Sequence, residues 1–482
     1  MLNISKRLFE TWNEKGLKYC HWKSNEHLLP GLDGDTDLDV LLSLDDKAKG
    51  EELLRSIDFM KCRSQYGSRY PDVDDWMGFD TEKGNLIHLH LHYQLVTGHK
   101  GMKEYNLPWT QLALDTRILN DEFGVYTMEP NLELVTLFTR IGLKADFKNI
   151  LRCRIGKFHF PKDVKREIDW LKERVDMEKV YDLLNNFYGV RTNDVEKIMQ
   201  LDKIDSKSYL KLSRITESVF KKNSRIKSFI RLREVSFFIY QRFLQRLIKH
   251  FRILISKKVP ENENGLTVAF LGQDGAGKTT VTKDIIKWWS WKLDVRNIYL
   301  GSGDNYSSIK KKLSRMMPCR GPLKYLRSYL SLSDSKDRAK RAYKNVKMAE
   351  KYASKGGLVI YDRYPQMEYE GICDGPKIRK RLQSNSSNHV FYKLFSPLAN
   401  KEEKYIRKIV SCPPDIVFKL ILSPEESMRR KPHENYEEVK VKHEIIKSLK
   451  FESSDAYTID ATMPYDEELL LIKSKIWQHI QK

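Results

Sequence analysis

Residues 272–279 read Gly-Gln-Asp-Gly-Ala-Gly-Lys-Thr, the spacing G-x-x-x-x-G-K-[ST]. An apolar run, Val268 to Leu271, leads into this segment, and a helical pattern from Thr280 to about Trp289 follows it. Glycines let backbone N–H groups turn toward phosphate oxygens with no Cβ in the way. The helix that follows adds the positive end of its dipole. Gly272, Gly275 and Gly277, with Thr280 at the helix start, are therefore the candidate phosphate cradle. Lys278 is expected to reach the β- and γ-phosphates of a nucleotide, and Thr279 to hold Mg²⁺. The competing reading is a chance match in a glycine-rich turn, and correct flanks on both sides argue against it.

A second element has to hold the metal. Gly357-Leu-Val-Ile-Tyr361-Asp362-Arg363 is an apolar strand pattern ending in a carboxylate, and Asp362 is the candidate. Further strand patterns lie at Thr267–Leu271, Asn297–Leu300, Leu358–Tyr361, Ile416–Leu422 and Ala456–Ile459, with helical segments between them. That alternation implies βαβ units and a parallel sheet with flanking helices. Pro260-Glu-Asn-Glu-Asn-Gly265 reads as a linker. An α/β nucleotide-binding domain is thus expected over 263–482.

The segment Gly272–Thr280, the triplet Asp362-Arg363-Tyr364 and the run Pro414 to Pro424 together resemble thymidylate kinases. The resemblance covers about residues 265–482. It implies a P-loop phosphotransferase using ATP and Mg²⁺. Asp274 would match the loop aspartate facing the acceptor, and Arg363 the arginine reaching the acceptor phosphate. Arg429 and Arg430, with Lys431, would be lid cations closing over ATP. Gln273 stands near a position where that family carries an acid. Gly301-Ser-Gly-Asp-Asn-Tyr306 replaces its Arg-Glu-Pro segment, and Pro365-Gln-Met-Glu-Tyr-Glu-Gly371 replaces its base-reading helix. The donor side is retained, and dTMP is expected to be a poor acceptor.

Residues 1–150 read as an α+β domain. An amphipathic start (Ile4, Leu8, Phe9, Trp12) is followed by a strand pattern carrying Asp37-Leu38-Asp39, and a helix begins at Pro130. Carboxylates at i and i+2 on a strand share one face, an arrangement suited to divalent metal. A calcium loop starting at Asp33 is excluded, because its sixth and twelfth positions are Leu38 and Leu44. The stretch from Lys23 to Leu42 resembles nucleotidyltransferase-like domains fused ahead of kinase-like ones, with Asp37 and Asp39 as metal ligands. Lys23-Ser24 stands where that family has a Gly-Ser turn, and the later strand carries His88, His90 and His92 instead of a third acid. The three histidines read either as half-buried strand residues or as additional ligands. Three on one straight strand stand about 7 Å apart in turn, too far to hold one ion together.

Between the two lies a helical, basic connector, 151–262. Residues 203–258 hold 16 Lys/Arg and 3 Asp/Glu, most of the chain's formal +21. Phe237, Tyr240, Leu244, Leu247, Phe251 and Leu254 mark an apolar helix face within 237–255. That helix reads as a packed connector, with peripheral contact to an acidic membrane as the alternative. Nucleic acid is the weaker partner reading, since no recognition motif accompanies the charge. Forty per cent hydrophobic residues over 482 positions exclude wholesale disorder. Six scattered cysteines without a CxxC pair imply reduced thiols in a cytoplasmic protein, and the start has no apolar leader. Three functions remain open. The chain is a phosphotransferase with a nucleotide, sugar or glycan acceptor, a nucleotidyltransferase acting through its front domain, or a nucleotide-gated binding module.

Overall fold

The computed structural model describes residues 1–64, 69–70, 72–99, 101–226, 236–237, 240, 243, 257–301, 308–318, 321, 323–384 and 389–482. The chain divides into two compact units, Met1–His250 and Phe251–Lys482.

The first unit is built on a mixed sheet. Its strands are β1 (Tyr19–His21), β2 (Asp37–Leu42), β3 (Met60–Arg63), β4 (Val73–Phe79), β5 (Leu86–His92), β6 (Ile118–Asn120) and β7 (Val125–Thr127). They lie in the order β3-β4-β5-β2-β1-β7-β6. β2 runs parallel to β5, and β4 runs antiparallel to it. Asp39 is opposite His90 on one side, and Asp75 is opposite the same histidine on the other. Three strands therefore set one row of polar residues on one face. The other face carries Leu38, Val40, Ile87, Leu89 and Leu91, and helix Asn3–Glu14 packs Leu8, Phe9 and Trp12 into the same core.

Helix Pro130–Leu143 has proline in its first turn, and Glu129 caps it by accepting the Leu132 N–H at 2.9 Å. Nearly all of its residues are buried. Amphipathic helices Lys162–Lys172, Met177–Tyr188 and Ser206–Phe220 turn Leu171, Leu184 and Leu212 into the core it shares with Trp22 and Trp109. The helices over 162–220 of the segment read as a connector thus belong to the first unit's core, while Val259 near its end lies in the second unit's. The apolar stripes of those helices need a partner, and an almost wholly apolar helix offers one. The later strand also departs from the half-buried reading, because His88 and His92 have no exposure at all. Of the apolar helix read at 237–255, only Phe237, Tyr240 and Phe243 are among the described residues. No described helix is long and apolar enough to cross a membrane.

The second unit is a five-stranded sheet of β8 (Leu266–Gly272), β9 (Val295–Tyr299), β10 (Leu358–Asp362), β11 (Ile416–Ile421) and β12 (Asp455–Asp460). Its order is β9-β10-β8-β11-β12, every pair parallel. The inner strands are mostly apolar, with Thr267 and Lys419 as buried exceptions, because helices cover both faces. Helix Leu323–Ala353 contributes Val346, Ala349 and Tyr352 to one core, with Ile445 and Ile446 of helix Tyr436–Ser448. On the other face Trp289 of helix Lys278–Trp289 meets Trp477 of helix Tyr465–Ile480 at 6.3 Å between ring centres. The chain leaves β8 toward β9 on one side and later returns to β11 on the other. A crevice forms at such a switch, at the carboxyl ends of the strands, and ligands bind there.

Candidate active site

The loop leaving β8 sits at that switch. Gly275 and Gly277 have φ of +88° and +82°, a region that side chains with a Cβ rarely adopt. At Gly272 a Cβ would stand 2.7 Å from the carbonyl oxygen of Leu420 on β11, so glycine lets the loop begin against its neighbour. Helix Lys278–Trp289 starts directly afterwards, with the Thr280 N–H donating to Gly277 O at 2.9 Å. Thr279 and Thr280 stand exposed in its first turn. The Lys278 ammonium donates to the carbonyls of Gly272 at 2.7 Å and Gln273 at 2.8 Å. Burial, and then Arg363 nearby, lower its pKa to about 8.

Asp362 ends β10 beside the loop, in register with Phe270 of β8, and is 7% exposed. Burial raises its pKa against the pull of Lys278 and Arg363. Arg363 adopts φ +73°, the left-handed region, and its N–H donates to Phe270 O at 3.2 Å. This turns its guanidinium toward the loop, 3.5 Å from Asp274 and 3.7 Å from Asp374. Lys442 of helix Tyr436–Ser448 reaches Asp274 from the other side at 3.0 Å. Burial opposes ionisation of Asp274, but Lys442, Lys278 and Arg363 outweigh it and hold the carboxyl low. Gln273 turns away from the loop, and its amide donates to Leu422 O.

The lid segment is helix Pro424–Arg430, capped by Ser423. Ser427 donates to the Asp274 carbonyl at 2.7 Å, and Arg430 reaches Gly275 O at 3.3 Å and Ala461 O at 3.0 Å. Arg429 points outward, 76% exposed, and pairs with Glu426 at 2.6 Å. The structure thus brings Lys278, Asp362, Arg363, Asp274 and Arg430 around one loop and leaves Arg429 apart from it. Sequence reading missed Asp374 and Lys442, which no spacing rule connects to the loop. A cavity of about 690 Å³ opens beside Asp374 at the ends of β9 and β10. Gly301 lines it, and the rest of the Gly301–Tyr306 segment lies outside the described residues.

The first unit holds a separate polar cluster. Asp37, Asp39, His88, His90 and His92 come together as their strand positions require, and Asp75 of β4 joins them. His88 bridges Asp37 at 2.5 Å and Asp75 at 3.1 Å, while His90 lies 3.3 Å from Asp39 and 3.1 Å from Asp75. His92 meets Asp39 at 2.9 Å, and Lys23 pairs with the same carboxylate. Burial disfavours the charge on Asp39, yet Lys23, His90 and His92 outweigh it and keep its carboxyl well below the usual range. Burial also opposes charge on His90, and Asp39 and Asp75 reverse that and raise its pKa. Donor atoms of Asp37, His88 and His90, and of Asp39, His90 and His92, lie within 4.8 Å of one another in each set. The cluster divides into two such triads sharing His90, so no ion needs all three histidines. Mixed imidazole and carboxylate donors fit a divalent metal. Asp75 was missed because the third acid was sought on β5, and it stands on the antiparallel strand beside it.

No family model matches the chain. The uncharacterized ATP-binding protein YghR of Escherichia coli strain K12 is 26% identical over 223 residues, 42% of this chain and 83% of the relative. The uncharacterized ATP-binding protein YghS of the same strain is 27% identical over 219 residues, 42% of this chain and 88% of the relative. Among solved structures, deoxyadenosine kinase from M. mycoides with bound dATP overlaps at a TM-score of 0.26 and 15% identity, covering 44% of this chain and 99% of its own. The same enzyme with bound dCTP gives 0.24 and 14%, covering 44% and 98%.

Proposed function

We propose that the second unit is an ATP- and Mg²⁺-dependent phosphotransferase. The observation that carries this reading is the convergence of Lys278, Asp362, Arg363 and Asp274 on one phosphate-shaped loop that borders a cavity large enough for an acceptor. The names of the two bacterial relatives, both ATP-binding proteins, support the choice of nucleotide. The loop N–H groups and Lys278 would hold the β- and γ-phosphates. Thr279 and Asp362 are the oxygen donors suited to Mg²⁺, which when bound neutralises charge on the phosphates. Arg363 and Arg430 border the loop, where they add cationic charge beside the transferred group. Asp274, held ionised by Lys442, fixes Arg363 in place. The bond from the γ-phosphorus to its bridging oxygen breaks as the acceptor oxygen bonds, and ADP leaves.

Incubation with labelled ATP and an acceptor panel tests the reading. Lys278→Ala is expected to lose about two decades or more of transfer rate, and dTMP to be a poor acceptor. Unchanged transfer in that variant would sink the assignment. ATP binding with no acceptor-dependent ADP release would favour a nucleotide-gated module instead.

A second reading belongs to the first unit. Asp75 supplies the third carboxylate beside Asp37 and Asp39, and this supports a divalent metal site there. The ion pair of Lys23 with Asp39 stands against ready nucleotidyl transfer. Mn²⁺ titration of the full chain is expected to show binding that His90→Ala, at the residue both triads share, abolishes. Equal binding by that variant would exclude the site, and pyrophosphate release lost in Asp37→Asn would show that this unit transfers a nucleotidyl group after all.

A further inference from the structure

The cavity beside Asp374 has a lining unlike that of a base-reading pocket. Lys311 and Arg315 enter it from helix Ile309–Met316. Arg327, Arg338 and Arg341 enter from helix Leu323–Ala353. Lys377 and Arg381 stand at the start and within helix Ile378–Gln383. Against these seven cations the lining carries three carboxylates, Asp334, Asp374 and Glu402. Asp334 pairs with Arg338 at 3.0 Å. Glu402 is directed at backbone, accepting the N–H groups of Lys377 at 3.0 Å and Ile378 at 2.8 Å. Burial lowers the pKa of Lys377; Asp374 opposes this, and Arg338 and Arg381 add to it. Like charges are therefore crowded on one wall.

The neutral lining is equally telling. Ser314, Ser331, Ser335 and Asn345 present hydroxyls and an amide beside apolar Leu300, Ala339, Ala342, Pro365, Ile406 and Ile409, and Tyr299 is the one aromatic ring among the described lining residues. A nucleobase stacks best on flat aromatic rings, and here one ring, Tyr299, is offered against seven cations. A polyhydroxylated ring is held by hydrogen-bonding side chains, and anionic groups by arginine forks. Asp374 also lines the small pocket around Gly272, Asp274 and Lys278, so the cavity adjoins the loop.

We infer that the acceptor is a phosphorylated sugar bearing at least two anionic groups, held by basic side chains from three helices. This rests on the phosphotransferase reading of the same unit. One anionic group would lie toward Arg363, and another toward Lys311, Arg315 and Arg381 at the far wall.

Calorimetric titration of the full chain tests it, in the Lys278→Ala background so that anions no longer favour the loop. The probes are glucose 1,6-bisphosphate, glucose 6-phosphate, glucose and dTMP. The bisphosphate is expected to bind about tenfold or more tighter than either monophosphate, the size of one contact to a charged group, and to weaken with salt. Glucose is expected not to bind. Arg315→Ala, at an exposed position, and Arg381→Ala should each cost about tenfold in bisphosphate affinity, with melting temperatures unchanged. Glucose or dTMP binding as tightly as the bisphosphate overturns the inference, as does bisphosphate affinity indifferent to both variants. ATP binding to the parent chain is measured separately. Its absence would remove the phosphotransferase reading while leaving the anion result to stand or fall alone.

Discussion

Lys278 shows how one side chain can couple binding to protons. With its pKa lowered to about 8, the ammonium is already losing its proton under mildly alkaline conditions. Nucleotide phosphates favour the charged form, so binding raises that pKa. Binding at pH 8 to 9 should therefore take up a proton, whereas at pH 6 the lysine is already charged and none is taken up. ATP affinity should fall as pH rises through about 8. Calorimetry in two buffers of different ionisation enthalpy reads this directly, and buffer-independent heats at pH 8.5 would contradict it. The placement of Lys278 and Thr279 at the head of a helix was legible because Gly272 and Gly277 stand at fixed spacing before them, and that of Asp362 because an apolar strand ends in it. Asp374, Lys442 and Asp75 reach their clusters only through the packing of separate elements, which leaves no mark in local spacing.

At the scale of the element, helix Pro424–Arg430 presents two adjacent arginines differently. Both pair with Glu426, but Arg430 also reaches the loop carbonyl of Gly275, whereas Arg429 points into solvent. Arg430→Ala is expected to lower phosphoryl transfer by about tenfold or more, and Arg429→Ala to change it little, since its pair with Glu426 stands in solvent away from the loop. Equal losses in steady-state rates would show that the helix rotates when nucleotide binds. Strands β8, β10 and β11 were legible because burial on both faces makes them largely apolar, with Thr267 and Lys419 the interruptions. The helices between 162 and 220 were legible as helices, but not in their allegiance. An amphipathic stripe says that a face is covered without naming what covers it, and here helix Pro130–Leu143 covers it.

For the whole molecule, each unit has its own sheet and its own buried core. A ligand that binds only the native form stabilises the unit it binds. A non-hydrolysable ATP analogue with Mg²⁺ should raise one calorimetric transition and Mn²⁺ alone the other. Lys278→Ala should remove the first shift and His90→Ala the second. A Mn²⁺ shift lost in Lys278→Ala, or a nucleotide shift lost in His90→Ala, would be incompatible with two separate sites. The charge excess was plain in the sequence, with 16 basic and 3 acidic residues over 203–258, but charge alone names no partner.

Arg363 occupies a backbone conformation that costs a residue with a Cβ about 1–3 kcal/mol. Glycine would adopt it freely, so Arg363→Gly is expected to melt at or above the parent temperature while transferring no phosphate. A library of variants screened for heat resistance alone should then drift toward glycine at 363, and one screened for turnover should keep arginine. The two screens, run side by side, would weigh the fitness of a strained turn against its durability, and an arginine persisting under heat alone would mean that its pairs with Asp274 and Asp374 outweigh the strain.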